Sequence, residues 1–290
     1  MIIGNELEQK VFEKDHINRV VDELTKGFET YFESFRLEPL NAMFAEYISE
    51  HQNEQDAYAE YLDMDVLEEY GFDPNAFKAY TRSRCPIIHR CLWSQDEIMK
   101  SYKRAFNETS GREILDAVKN ISLFGTKYVD EFDDDAHEDL AYPADIGLET
   151  LNDSEYLVPG VIGYGIQSTL LYGVYPRQFA RRSQNSVWSL YFLSNRKDFG
   201  LLDGSEFLLV KADKGTTEQN FLYPVQLFGF YALQVCLLLK YACEERGLIL
   251  DNAYRYVYLE AFNDYVANLH WSDINILRRS SEDVELQPWF

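Results

Sequence analysis

From Phe221 to Leu239 the chain runs 19 residues without a charged side chain. Coiled into a helix, such a segment is apolar on every face and needs lipid or protein around its full circumference. Its flanks point to protein. Pro224 stands where a first helical turn tolerates a missing amide, and Gly247 follows the last turn. Gln226 and Gln234 interrupt the run. Lys240, Glu244, Glu245 and Arg246 beyond it carry no positive excess of the kind that orients a membrane span. The expectation is a central buried helix over 224–245, wrapped by other helices, with no membrane as partner.

The rest of the chain supplies the wrapping. Ile17, Val20, Leu24, Phe28, Tyr31 and Phe35 recur at three- and four-residue steps and predict an amphipathic helix over 6–36, ended at Glu38-Pro39. Further helices are expected over 40–50 and 55–70, with Gly71 as a stop. Two sequences have the form of capping boxes, Ser94-Gln95-Asp96-Glu97 and Ser110-Gly111-Arg112-Glu113. They start helices running to about 107 and to Phe124, with Gly125 closing the second. Segments 147–157, 165–175, 183–194 and 251–269 also read as helices, and 272–290 as a polar tail. EFLLVK at 206–211 is the best strand candidate. The fold class is therefore mainly α, a multi-helix globular protein with at most a minor β element.

Charge divides the chain. The formal net charge is -22. Two mildly basic blocks, 76–127 and 157–240, are separated by residues 128–156, which hold 11 acidic side chains and no lysine or arginine. The segment DEFDDDAHED within it reads as an exposed, solvated connection. The expected division is a helical part over 1–127, an acidic connection over 128–146, and a helical part over 147–290. Four cysteines in 290 residues are too few for a disulfide framework. The first residues lack a basic stretch followed by an apolar one. Reduced thiols and a cytoplasmic location are the simplest expectation.

One local pattern carries a functional reading. Residues 157–171 read Leu-Val-Pro-Gly-Val-Ile-Gly-Tyr-Gly-Ile-Gln-Ser-Thr-Leu-Leu, with the pair Gly163 and Gly165 and small Ser168 three residues on. This resembles a helix-hairpin-helix motif, over about 30 residues. The resemblance implies that Gly163 and Gly165 offer amides to a nucleic-acid backbone phosphate and that Ser168 permits close helix packing. Arg177, Arg181 and Arg182 follow and would neutralise flanking phosphates. Val161-Ile162 lengthens the turn relative to the common pattern. Arginines clustered on the hairpin surface favour this reading; if they are instead paired internally with Asp or Glu, it fails. A purely structural interhelical turn is the alternative.

Other chemistry is poorly supported. Cys85, His89 and Cys91 lack a usual zinc spacing, and the acidic connection lacks the glycine and spacing of a calcium loop, so no metal or cofactor is expected. Glu206 and Lys211 lie five apart and would project from opposite faces of one strand, against a nuclease pairing. Three functions remain. The first is a non-enzymatic accessory protein touching nucleic-acid backbone. The second is an acidic protein–protein interaction subunit, with a partner protein or larger complex; a variant of it occupies a partner's basic groove as a DNA mimic would. The third is an enzyme of unrecognised type, with a cleft between the two halves holding titratable groups in perturbed environments.

Overall fold

The computed structural model describes residues 10–34, 37–97, 99–197, 199, 205–206, 208–211, 217–220 and 223–279. Its helices are α1 (Lys14–Glu33), α2 (Leu37–Tyr61), α3 (Met64–Glu69), α4 (Pro74–Arg84), α5 (Pro86–Trp93), α6 (Met99–Glu108), α7 (Gly111–Asp130), α8 (Asp134–Glu138), α9 (Tyr164–Val174), α10 (Gln184–Leu193), α11 (Val225–Glu245), α12 (Arg255–Leu269) and α13 (Trp271–Arg279). The chain is mainly α. Short strands β1 (Ser205–Glu206), β2 (Leu209–Lys211) and β3 (Thr217–Gln219) form an antiparallel sheet in that order. The expected single strand over 206–211 is thus two strands, with Ser205 opposite Val210 and Glu206 opposite Leu209.

Helix α11 is the central helix expected from the uncharged run. Its Leu227, Phe228, Phe230, Tyr231, Leu233, Val235, Leu237 and Leu239 are buried, so other helices cover most of its circumference. By length and composition it is the one described helix that would also suit a membrane.

Boundaries differ from expectation where packing overrides local signals. Pro39 does not separate α1 from its successor by a loop; it falls in the first turn of α2, where a missing amide costs nothing. The two helices expected over 40–50 and 55–70 are one long helix and a short one, the latter started by the Asp63 carboxylate accepting from the amides of Asp65 and Val66. The Ser110 capping box forms in full. At 94–97 Ser94 Oγ accepts from the Asp96 amide, and helix α6 begins at Met99. Gly125 does not end α7. A Cβ there would sit 2.7 Å from Leu171 Cδ2, so the glycine lets α9 approach α7.

Two cores result. One gathers α1, the first part of α2, α10, α11 and α12. The other gathers the end of α2, helices α4 to α7, the 146–162 turns and α9. This grouping follows neither 1–127 nor 147–290, because α1 closes against helices from the far end of the chain. Gly27 marks that contact: a Cβ would lie 1.9 Å from the Leu193 carbonyl oxygen.

The acidic connection is exposed at Asp130, Glu131, Asp133, Asp135 and Asp139, as expected, but it is not wholly solvated. It folds into α8 and buries His137, whose Nε2 lies 3.0 Å from Tyr256 Oη. Asp134 and Glu138 both accept from Arg255, at 3.1 and 2.7 Å, and Glu138 also takes Lys240 at 2.8 Å. Those cations come from α11 and α12, so two of the expected solvated charges fasten the connection to the first core.

Candidate functional site

Helix α2 spans both cores. Phe44 belongs to the first and Tyr58 to the second. Between them Tyr47, Glu50, His51 and Glu54 follow at three- and four-residue steps, which places them with Tyr58 on one face. That face is polar where the cores meet, and a cleft of about 540 Å³ opens there. At 1.5 Å per residue, Tyr47 and Tyr58 stand about 16 Å apart along the helix, which sets the length of the cleft. Helix α9 contributes Thr169 and Tyr172, α5 contributes Arg90, the segment before α10 contributes Arg181, and α12 contributes Glu260 and Asp264.

Glu260 and Asp264 stand one turn apart on α12, a helix otherwise buried on nearly every side. Their surroundings differ. Asp264 is fully engaged: Tyr47 Oη donates at 2.6 Å and Asn185 Nδ2 at 2.7 Å. Glu260 is 5% exposed, and Arg181 Nη1 donates to it at a long 3.4 Å. Burial pushes the Glu260 carboxyl up to about 7; Arg181 and a Ser183 hydrogen bond oppose this, and Asp264 adds to it. It therefore holds its proton more tightly than an ordinary carboxyl group.

Arg181 donates its Nε to Thr169 Oγ1 at 3.3 Å, and its side chain stays partly open to the cleft. Arg90 pairs with Glu54 and donates to Tyr58 Oη at 3.2 Å. Burial works against the Arg90 charge, but Tyr58 and Glu54 raise its proton affinity above the usual value, with Arg181 opposing. His51 is 8% exposed, packs edge-on to Tyr172, and its Nε2 has no partner among the described residues. Burial pushes this imidazole down to about 4, with Arg181 adding to that and Glu54 opposing. At neutral pH it is uncharged and able to offer one ring N–H.

The residues expected from the glycine pattern lie in three different settings. Gly160, at φ 72°, turns the chain back so that Val158 and Ile162 pair across a bridge. Gly163 is the N-cap of α9 and Gly165 is buried in its first turn. Two 3-10 turns, Glu149–Asn152 and Ser154–Tyr156, precede the hairpin where a helix was expected. Ser168 Oγ donates to the Gly165 carbonyl and accepts from the Arg182 amide at 2.9 Å, tying α9 to the following segment. Arg177 pairs with Asp134. Arg182 is buried and donates to the Tyr223 and Asn220 carbonyls, both at 2.8 Å. Of the six, only Arg181 reaches the cleft. Internal pairing of Arg177 and Arg181 with acids is the arrangement that counts against a phosphate contact.

Sequence reading missed Tyr47, His51, Glu54, Arg90, Glu260 and Asp264. One signal was available: Glu260 and Asp264 interrupt the apolar face of 255–269 at helical spacing. Cys85, Cys91, Cys236 and Cys243 are free and buried. No group of three or more His, Cys, Asp or Glu side chains among the described residues is placed to hold a metal ion. No family model, curated protein or solved structure matches this chain.

Proposed function

We propose that the protein binds a small polar molecule in the cleft between its two cores and exchanges a proton with it through Glu260. The observation that carries this reading is Glu260 itself. A carboxyl group poised near neutrality, on the wall of a cavity large enough for a metabolite, has the property that general acid–base chemistry needs. Arg181 and Thr169 fix one side of it, and Asp264, held by Tyr47 and Asn185, supplies a second carboxylate of different character. Two neighbouring carboxyl groups with different hydrogen-bond partners can divide the roles of acid and base in one site.

The test is a thermal-shift survey of charged and polar metabolites on the full chain and on Asn53→Trp. Asn53 lies exposed at the cleft rim, so tryptophan there obstructs entry without entering either core. The reading expects compounds that stabilise the wild type, lose their effect in Asn53→Trp, and shift the Glu260 carboxyl resonance. A survey with no such compound overturns it.

A second reading keeps one observation in its favour. The amides at the start of α9 have no side-chain cap, which is the feature a backbone phosphate would use. Salt-sensitive duplex binding, lost when Arg177, Arg181 and Arg182 are all changed to Ala, would support contact with nucleic acid through 157–182.

A further inference from the structure

The cleft is polarised along its length. Around Tyr47 stand Asp264, Glu260 and Glu50, whose charges all raise the proton affinity of that phenol. At Tyr58 burial raises the proton affinity of the second phenol most and Cys85 and Glu54 add to it, while Arg90, which donates to the phenol oxygen at 3.2 Å, and Arg181 oppose it. Both guanidinium groups line this cavity. Glu54 partners Arg90, and Glu260 partners Arg181 through one contact at a long 3.4 Å.

The donors at this end outnumber their acceptors. A guanidinium carries five N–H groups. Arg181 uses one on Thr169 and one on Glu260; Arg90 uses one on Glu54 and one on Tyr58. The His51 Nε2 is enclosed, lines the same cavity, and has no partner among the described residues. A buried donor without an acceptor costs free energy, and planar guanidinium forks match an oxyanion in geometry as well as charge.

We infer that the Tyr58 end of the cleft is an oxyanion subsite, taking the carboxylate or phosphate of the ligand between Arg90 and Arg181 with His51 Nε2–H as a further donor. The acidic Tyr47 end rejects a second anion, so the rest of the ligand is neutral or cationic. This rests on the cleft being the binding site, and it names the chemistry of that ligand.

Inorganic phosphate and acetate are the probes, titrated separately against full-length protein by calorimetry at constant ionic strength, with chloride as control. Saturable binding of either is expected, weakened about tenfold in Arg90→Gln and in His51→Gln. Phosphate alone binding marks a phosphoryl group, acetate alone a carboxylate. Both substitutions leave Glu260 and Arg181 in place, and circular dichroism checks that each variant folds. Two results overturn the subsite: no binding beyond chloride, or binding indifferent to both substitutions. If a compound without an acidic group binds the wild type, fails on Asn53→Trp, and is unaffected by Arg90→Gln and His51→Gln, the cleft stands as a binding site and the oxyanion subsite falls.

Discussion

Two places in this molecule bring acids and arginines together under cover, and they are finished to different degrees. At α8, Arg255 donates to Asp134, Glu138 and the Arg177 carbonyl, and Lys240 completes Glu138. At the cleft, Glu260 meets Arg181 through one long contact and His51 keeps an unpartnered nitrogen. The electrostatic outcomes are opposite. At α8, the Arg177 hydrogen bond outweighs burial and holds Asp134 below the usual carboxylate range; burial resists the same shift in Glu138, but Lys240 and Arg255 prevail. At the cleft, burial prevails over Arg181 and lifts Glu260. Complete pairing is what a structural clamp requires, whereas spare donors and a carboxyl near neutrality leave room for a ligand.

Removing the central cation should separate the two most sharply. Arg255→Met removes three hydrogen bonds and leaves Glu138 with Lys240 and Asp134 with the half-exposed Arg177, and it should cost about 3 kcal/mol in urea unfolding at pH 7. Arg181→Met strands a carboxyl that takes one readily, and it should cost about 1 kcal/mol. Equal losses would mean that the cleft pair is as structural as the clamp.

The next effect is a pH dependence. Glu260 binds its proton more tightly folded than unfolded, so its stabilising contribution is complete below about 4.5 and is lost as pH rises through about 7. The wild type should therefore lose on the order of 3 kcal/mol over this range relative to Glu260→Gln. Burial pushes His16, His51 and His137 down to about 4, so each destabilises the fold as pH falls below 6.5. That term is common to both proteins and cancels in the difference. A wild-type-minus-variant curve that stays flat from pH 5 to 8 would put Glu260 among ordinary carboxylates and erase the contrast.

Much of the fold could be read from local chemistry. Helix α11 follows from its uncharged run, α7 from Ser110 and Glu113, and α10 from Ser183, whose Oγ accepts from the Ser186 amide. What could not be read depends on distant partners. Gly125 resembles a stop until Leu171 stands against it. Asp134 and Glu138 resemble solvated charges until Arg255 arrives from 117 or more residues away. The cleft is the extreme case, because α2 supplies one polar wall and the groups that face it come from α5, α9, α12 and the segment before α10. His51 and Glu54 look like an exposed helix face in sequence, and only the junction of the two cores gives that face an inside.

Arg177 offers the smallest and most diagnostic test of the clamp, since it links α8 to the segment after α9. Its side chain is nearly half exposed, and Asp134 keeps Arg255 when Arg177 is gone. An exposed pair with a remaining buried partner contributes little, so Arg177→Ala should cost about 0.5 kcal/mol in urea unfolding. Asp134→Ala should cost clearly more, because it also removes an acceptor from the buried Arg255. If Arg177→Ala equals Asp134→Ala, Arg177 rather than Arg255 holds α8 in place, and the clamp is centred at the protein surface. If the smaller value is found, the anchor lies inside, and Arg177 is a surface cation whose removal leaves the fold intact for a direct measurement of duplex binding.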